Sequence, residues 1–143
     1  RIILIRMAEL YLNLAECYAA LDRTDEALEN LNVIRERAGI RKLTAADLSI
    51  MPLMEWVRNE RAIELHAEGH RYYDVRRWRI ADQVMQPSEF KGLNGMTVNP
   101  SFEDFNQIVP IDQPIQWNVR QYLVPIKNSE LYSDPQLVQA PGY

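Results

Sequence analysis

Apolar residues Leu4, Met7, Leu10, Tyr11, Leu14, Tyr18 and Leu21 recur at three- and four-residue steps, with Arg6, Glu9, Asn13 and Glu16 between them. That period predicts an amphipathic helix from about Leu4 to Leu21. Asp22-Arg23 breaks it, and Thr24 is the expected N-cap of a second helix, with Asp25 and Glu26 in the first turn, where the helix dipole favours negative charge. Ala27, Leu28, Leu31, Ile34 and Ala38 carry the period on to Gly39. A glycine there is the residue expected just past a helix end, in a left-handed conformation, with Ile40 as the apolar contact that accompanies such a stop. A link this short makes the two helices antiparallel, and Ala8, Ala15, Ala19 and Ala27 permit close backbone approach.

Leu43-Thr44-Ala45-Ala46-Asp47 is a capping-type sequence, and Pro52 fits the first turn of a third helix running to Glu68, with Leu53, Trp56, Val57, Ile63, Leu65 and Ala67 as its apolar members. Gly69 allows a break, after which His70 to Met85 has the pattern of a further helix. Beyond Gln86 the pattern changes: every proline except Pro52 lies there, together with Asn94-Gly95 and Asn99-Pro100. Phe105–Ile111 and Trp117–Val124 are the strand candidates, joined through Asp112-Gln113-Pro114 as an edge hairpin. The fold class predicted is mainly α: a tetratricopeptide-like helical hairpin and further helices, with a small β-hairpin and loop appendage. Residues 1–143 are expected to form one domain, helical over 1–85 and loop-rich with short strands over 86–143.

Composition narrows the function classes. The chain has 143 residues, 47% of them apolar and 25% charged, a globular balance that excludes disorder. Its net charge of −4 is wrong for a protein held to nucleic acid by counterion release. The single cysteine, Cys17, can form no intrachain disulfide and is expected to be an inert buried thiol. No apolar run reaches the roughly 18 residues of a membrane span. Leu14-Ala15-Glu16-Cys17 looks like a lipoprotein cleavage box only in passing, since Glu16 is wrong beside the cysteine. The helical pattern starts without a capping residue after Arg1, the expectation for a piece of something longer.

Three constellations carry possible chemistry. Glu60, Glu64 and Glu68 lie at i, i+4 and i+8 of the third helix, near Arg61 and Arg71. Paired carboxylates suggest a glycosidase, but catalytic pairs flank a sugar at roughly 5–9.5 Å, which one helical face does not achieve. The favoured reading is a partly buried structural network of Glu60, Arg61, Glu64, Arg71, Asp74, Arg77 and Trp78. His66 and His70 have metal-gripping spacing, yet they lack the HExxH order and Gly69 stands between them, so no metal and no cofactor is expected. Trp56 and Trp78 are expected in the core. Trp117, with Gln116, Asn118, Arg120 and Gln121 around it, is the candidate ligand-binding aromatic.

Read together, three blocks resemble the C-terminal part of the SusD/RagB family of outer-membrane nutrient-binding lipoproteins. The first, Arg6 to Cys17 and then Ala27 to Gly39, looks like the last repeat hairpin of that family. The second is the most specific: Glu60-Arg61, Glu64-Leu65, Glu68-Gly69, Arg71, Asp74 and Arg77-Trp78 match the family pattern in order and spacing. The third runs from Tyr122-Leu123-Val124-Pro125-Ile126 through Asn128 to Leu131 and Asp134 to Leu137, closing on Gln139-Ala140-Pro141-Gly142-Tyr143. Ala140 stands where the family usually has asparagine, and Lys127 where a second proline is common. The resemblance implies a non-catalytic protein, lipid-anchored at the extracellular face of the outer membrane through a segment absent from this chain. Its implied ligand is an oligosaccharide or other polymeric nutrient, its partner a SusC-type TonB-dependent transporter, and most of its pocket would lie in segments not present here. A helical-repeat scaffold for protein–protein interaction is the alternative.

Overall fold

A computed structural model of the chain describes residues 5–95, 101–111 and 117–143. It divides into two compact units, Arg1–Tyr72 and Tyr73–Tyr143.

In the first unit, α1 (Met7–Ala20) and α2 (Thr24–Arg37) form the expected hairpin, and a 3-10 turn (Ala45–Ser49) leads into α3 (Leu53–Glu64). Helix α1 starts after the extended Arg6, and the predicted start at Leu4 lies outside the described residues. Thr24 is the first helical residue rather than the cap; Arg23 holds that place without a side-chain bond. The core comprises Ala8, Leu12, Ala15, Leu28, Leu31, Ile34, Leu43, Val57 and Leu65, with Tyr11, Ala19, Leu48, Leu53 and Trp56 packed against it. Leu12 and Leu31 are fully buried, each stabilising the fold by about 1.5–3 kcal/mol relative to an exposed leucine. The buried face of α1 is therefore the alanine row, while Met7, Leu10, Leu14 and Leu21 of the predicted stripe are exposed. Small side chains let the helices approach, as the sequence suggests; Leu12 joins them in the core, while the four exposed apolar residues point elsewhere.

The hairpin helices stop by the same device. Past α2, Gly39 has φ +72°, its N–H donates to Glu36 O, and Ile40 N–H reaches back to Arg35 O, both at 3.0 Å. This is the Schellman arrangement, which satisfies carbonyls the last turn leaves open. Asp22, with φ +57°, ends α1 in the same way, Arg23 N–H bonding Tyr18 O at 2.9 Å.

The continuous helix expected over Pro52–Glu68 ends early, at Glu64, and Ala67 (φ +62°) and Gly69 (φ +84°) both turn left-handed before α4 (His70–Arg77) begins. Nor does the next helix continue to Met85. Arg79 takes φ +55°, Ile80 N–H closes on Val75 O at 3.0 Å, and α5 covers only Ala81–Val84.

In the second unit, Val75 and Ala81 are buried. Strand β1 (Lys91–Leu93) pairs antiparallel with β2 (Ile108–Pro110), Gly92 opposite Val109, with the short helix α6 (Phe102–Phe105) between them in sequence. The predicted strand over Phe105–Ile111 thus contains β2, but its partner lies upstream. Trp117–Val124 is not a strand. Asn118 and Gln121 cap a 3-10 turn at Val119–Tyr122 reciprocally: Asn118 N–H donates to Gln121 Oε1 at 2.6 Å and Arg120 N–H to Asn118 Oδ1 at 3.1 Å. Asn99-Pro100 and the expected Asp112-Gln113-Pro114 link lie outside the described residues. After α7 (Asn128–Ser133), Gln139 returns to Ile126, its Oε1 accepting the Ile126 N–H and its Nε2 donating to the Ile126 carbonyl, each at 2.9 Å.

Candidate functional site

The carboxylates of α3 and the turn after it meet arginines from α2 and from Arg6, just before α1. Arg35 Nη1 donates to Glu60 Oε2 at 2.8 Å. Glu64 receives both Arg6 and Arg37, and Arg6 also reaches Glu68 through Nε at 2.9 Å and Nη2 at 2.6 Å. One guanidinium thus bridges two carboxylates, and three arginines hold the helical hairpin to α3. Both Glu68 and Glu64 raise the pKa of Arg6, and Arg6 in turn holds the Glu68 carboxyl below its ordinary value. Arg61, 4% exposed, donates to Asn13 Oδ1 at 2.6 Å and lies 4.0 Å from Glu16. Buried charge needs such partners, because water no longer solvates it.

Sequence reasoning named the acidic side of this clamp and missed Arg6, Arg35 and Arg37. The acidic spacing on α3 signals that cations must face it; it does not say from which helix they come. Of the other residues expected in the network, Asp74 is buried and accepts from Arg77 Nε at 2.9 Å and Nη2 at 2.8 Å. The Arg77 guanidinium lies 4.6 Å from the centre of the Trp78 ring, which is half-buried rather than in the core. Arg71 is exposed on α4 and forms no ion pair among the described residues.

His66 and His70 do not share a helical face. The first lies past the end of α3, and the second, on α4, has Nδ1 3.9 Å from Glu9. Among the described residues no group of three or more His, Cys, Asp or Glu side chains is placed to hold a metal ion. Cys17 is exposed, against the expectation of a buried thiol, because α1 buries its alanine row instead.

Trp117 is half-buried in the second unit. Its ring meets Tyr122 edge-on, with centroids 5.1 Å apart at 75°, and the Arg76 guanidinium lies over it at 5.1 Å. Arg76 Nε donates to Gln121 O at 3.2 Å. The Tyr122 hydroxyl donates to Asp82 Oδ1 at 2.6 Å, and desolvation together with that acceptor raises the phenol pKa. Among the described residues the buried indole Nε1 has no hydrogen-bond partner, a cost of about 1–3 kcal/mol in a typical protein. The polar neighbours expected to accompany a ligand are engaged locally: Asn118 and Gln121 cap the turn, and Arg120 donates to Gly142 O at 3.1 Å. Gln116 lies outside the described residues. The arrangement braces the chain between α4 and the C-terminal segment.

Comparison with known proteins fits these features. SusD-like protein P25 of Formosa agariphila is 33% identical over 116 residues, covering 80% of this chain and 21% of that protein. SusD-like protein P2 of the same organism is 32% identical over 147 residues, covering 97% of this chain and 25% of its own. Among solved structures, BT4246 superimposes with a TM-score of 0.88 at 51% identity over 99% of this chain and 24% of its own. A SusD-like protein (BF3747) from Bacteroides fragilis gives 0.78 at 32% identity, over 99% and 26%. The chain spans about a fifth to a quarter of the length of these proteins. The sequence profile of the SusD family matches residues 1–143, and the chain belongs to that family.

Proposed function

We propose that this chain is the C-terminal portion of a non-catalytic glycan-binding protein at the cell surface, one that passes oligosaccharide or another polymeric nutrient to a SusC-type TonB-dependent transporter. The observation that carries the reading is the family match along all 143 residues. The clamp supports the non-catalytic part. Glu60, Glu64 and Glu68 are each neutralised by arginine, so none is poised as a general acid opposite an unpaired base. Such a protein is held at the outer membrane by a lipid anchor outside these residues; among the described residues no helix is long and apolar enough to cross a membrane. Within this reading the segment contributes scaffold, and the principal sugar pocket belongs to the remaining three quarters of the protein.

The test is a glycan and peptide binding screen on the full-length protein, with pull-down of the outer-membrane transporter from the native host. Saturable binding of a glycan without turnover, together with recovery of the transporter, is the expected result. Turnover of glycan that disappears in Glu64→Gln would overturn it. Trp117→Ala locates the aromatic within the same assay. A contact residue loses affinity with an unchanged melting temperature, whereas a brace loses stability and keeps affinity; its enclosed Nε1 and the covering Arg76 support the brace.

A further inference from the structure

Of the asparagines in the chain, Asn94 alone precedes a glycine. It lies just past β1, whose antiparallel pairing runs from Lys91 with Pro110 to Leu93 with Ile108. Asn94 N–H still reaches Gln107 O at 3.0 Å, but Gly95 N–H donates to Leu93 O, two residues back, at 2.9 Å. A three-residue closure of that kind opens by rotation at one residue and leaves the strand pairing intact. Asn94 is half-buried, and its side-chain amide has no hydrogen-bond partner among the described residues. Gly95 is exposed, and among the described residues no atom beyond its two chain neighbours lies within 4 Å of a Cβ built on it. The other asparagines are placed differently. Asn13, Asn30, Asn32, Asn106 and Asn118 are held through their side chains, and Asn59 lies inside α3, where the next N–H belongs to the helix.

We propose that Asn94 is a site of spontaneous modification, deamidating through a cyclic imide formed with Gly95. The Gly95 backbone nitrogen loses its proton to solvent and attacks Asn94 Cγ. A bond forms between that nitrogen and Cγ, the bond from Cγ to the side-chain nitrogen breaks, and ammonia leaves with a proton returned by solvent. Water then opens the ring. Addition at Cγ gives aspartate, and addition at the Asn94 backbone carbonyl gives isoaspartate, in which the chain runs through the former side chain. Neither step is a redox step, and water is the only co-reactant. Glycine permits the attack because, without a Cβ, its nitrogen approaches the side chain unhindered. Asn99-Pro100 cannot react in this way, since proline has no N–H to lose. Either product puts a carboxylate where an amide stood. Isoaspartate also adds a methylene to the backbone beside the Asn94–Gln107 hydrogen bond, at the end of the β1–β2 pairing.

The test is peptide mapping by mass spectrometry of the native full-length protein after incubation at mildly alkaline pH. Digestion in heavy-oxygen water separates conversion during digestion from conversion before it. The expected result is amide-to-acid conversion at Asn94 roughly tenfold or more faster than at any other asparagine of this segment, because only here does an unhindered glycine nitrogen follow a free side chain. Isoaspartate is expected among the products, and the rate should rise with pH, since the attacking nitrogen must lose its proton. Gly95→Val places its side chain in open space, so its melting temperature should be unchanged, while its branched Cβ slows conversion at Asn94 by roughly tenfold. No conversion in the native protein, over a period in which the same protein in guanidinium converts, overturns the proposal, because the fold then holds the amide closed. Equal conversion in Gly95→Val also overturns it, since the reaction would then be direct hydrolysis of the side chain without the imide.

Discussion

At 4% exposure Arg61 brings a full charge into the first unit, and the 2.6 Å bond to Asn13 with Glu16 nearby is part of what compensates it. Removing one partner of a buried pair leaves the other unpaired, typically at about 3–5 kcal/mol. Arg61→Ala is therefore expected to lower the melting temperature by roughly ten degrees or more, and an unchanged melting curve would refute the structural role. Ala67 is the opposite case. It is exposed and held at φ +62°, where a Cβ crowds the following carbonyl by about 1–2 kcal/mol. Ala67→Gly should raise stability by about 1 kcal/mol in chemical denaturation, because it relieves that crowding and removes only an exposed methyl group. Neither residue could be ranked from sequence alone. Arg61 looks like its neighbours until the burial of Asn13's partner is known, and nothing before Gly69 marks Ala67 as left-handed.

The helix stops were the most legible elements, because their chemistry is local. Gly39 ends the amphipathic period of α2 and Ile40 follows it, and the resulting geometry is the one that pattern predicts. Among the described residues no atom beyond its two chain neighbours lies within 4 Å of a Cβ built on Gly39, so the penalty for replacing it is conformational. Gly39→Val should cost about 1–2 kcal/mol and Gly39→Asn distinctly less, since asparagine tolerates the left-handed region; equal losses by thermal melting would show that packing is at stake instead. The 3-10 turn after Thr44 adds a pH dependence. Arg41, and then the Thr44 N–H at 2.7 Å, hold the Asp47 carboxyl well below its ordinary value of 3.8. The folded form thus resists protonation more than the unfolded chain does. Its contribution is complete above the unfolded pKa and is lost as pH falls below about 4 toward the depressed folded value. Asp47→Asn should flatten that part of an acid titration of stability, and an identical acid limb in the variant would contradict the assignment. Strands were the least legible. Trp117–Val124 is rich in strand formers, but the Asn118 and Gln121 spacing is a capping box, and that local chemistry overrode propensity. The partner of β2 lies fifteen or more residues upstream, a pairing that no local pattern specifies.

Across the whole chain, legibility follows contact range. In residues up to Tyr72 the amphipathic period and the alanine row indicated helices and close packing, yet not that Met7, Leu10 and Leu14 of α1 would face away from the core, because a stripe in sequence does not say how many neighbours a helix has. Farther along, much of the organisation comes from single side chains reaching across loops, as Tyr122 does to Asp82 and Arg120 to Gly142. The pair of hydrogen bonds between Gln139 and Ile126, thirteen positions apart, has a consequence for how such proteins diversify. A side-chain amide acts there as a clasp, so the chain between the two residues is a ring sealed at its neck. Its circumference is free to change: doubling a flexible loop costs only about 0.6 kcal/mol in closure entropy. A six-residue Gly/Ser insertion between Ser133 and Asp134 should shift the melting temperature by no more than a few degrees, while Gln139→Leu, which opens the clasp, should sensitise the ring to proteolysis. The ring is thus where selection for length variation meets least resistance, and Gln139, at its neck, is the residue that insulates the fold from it.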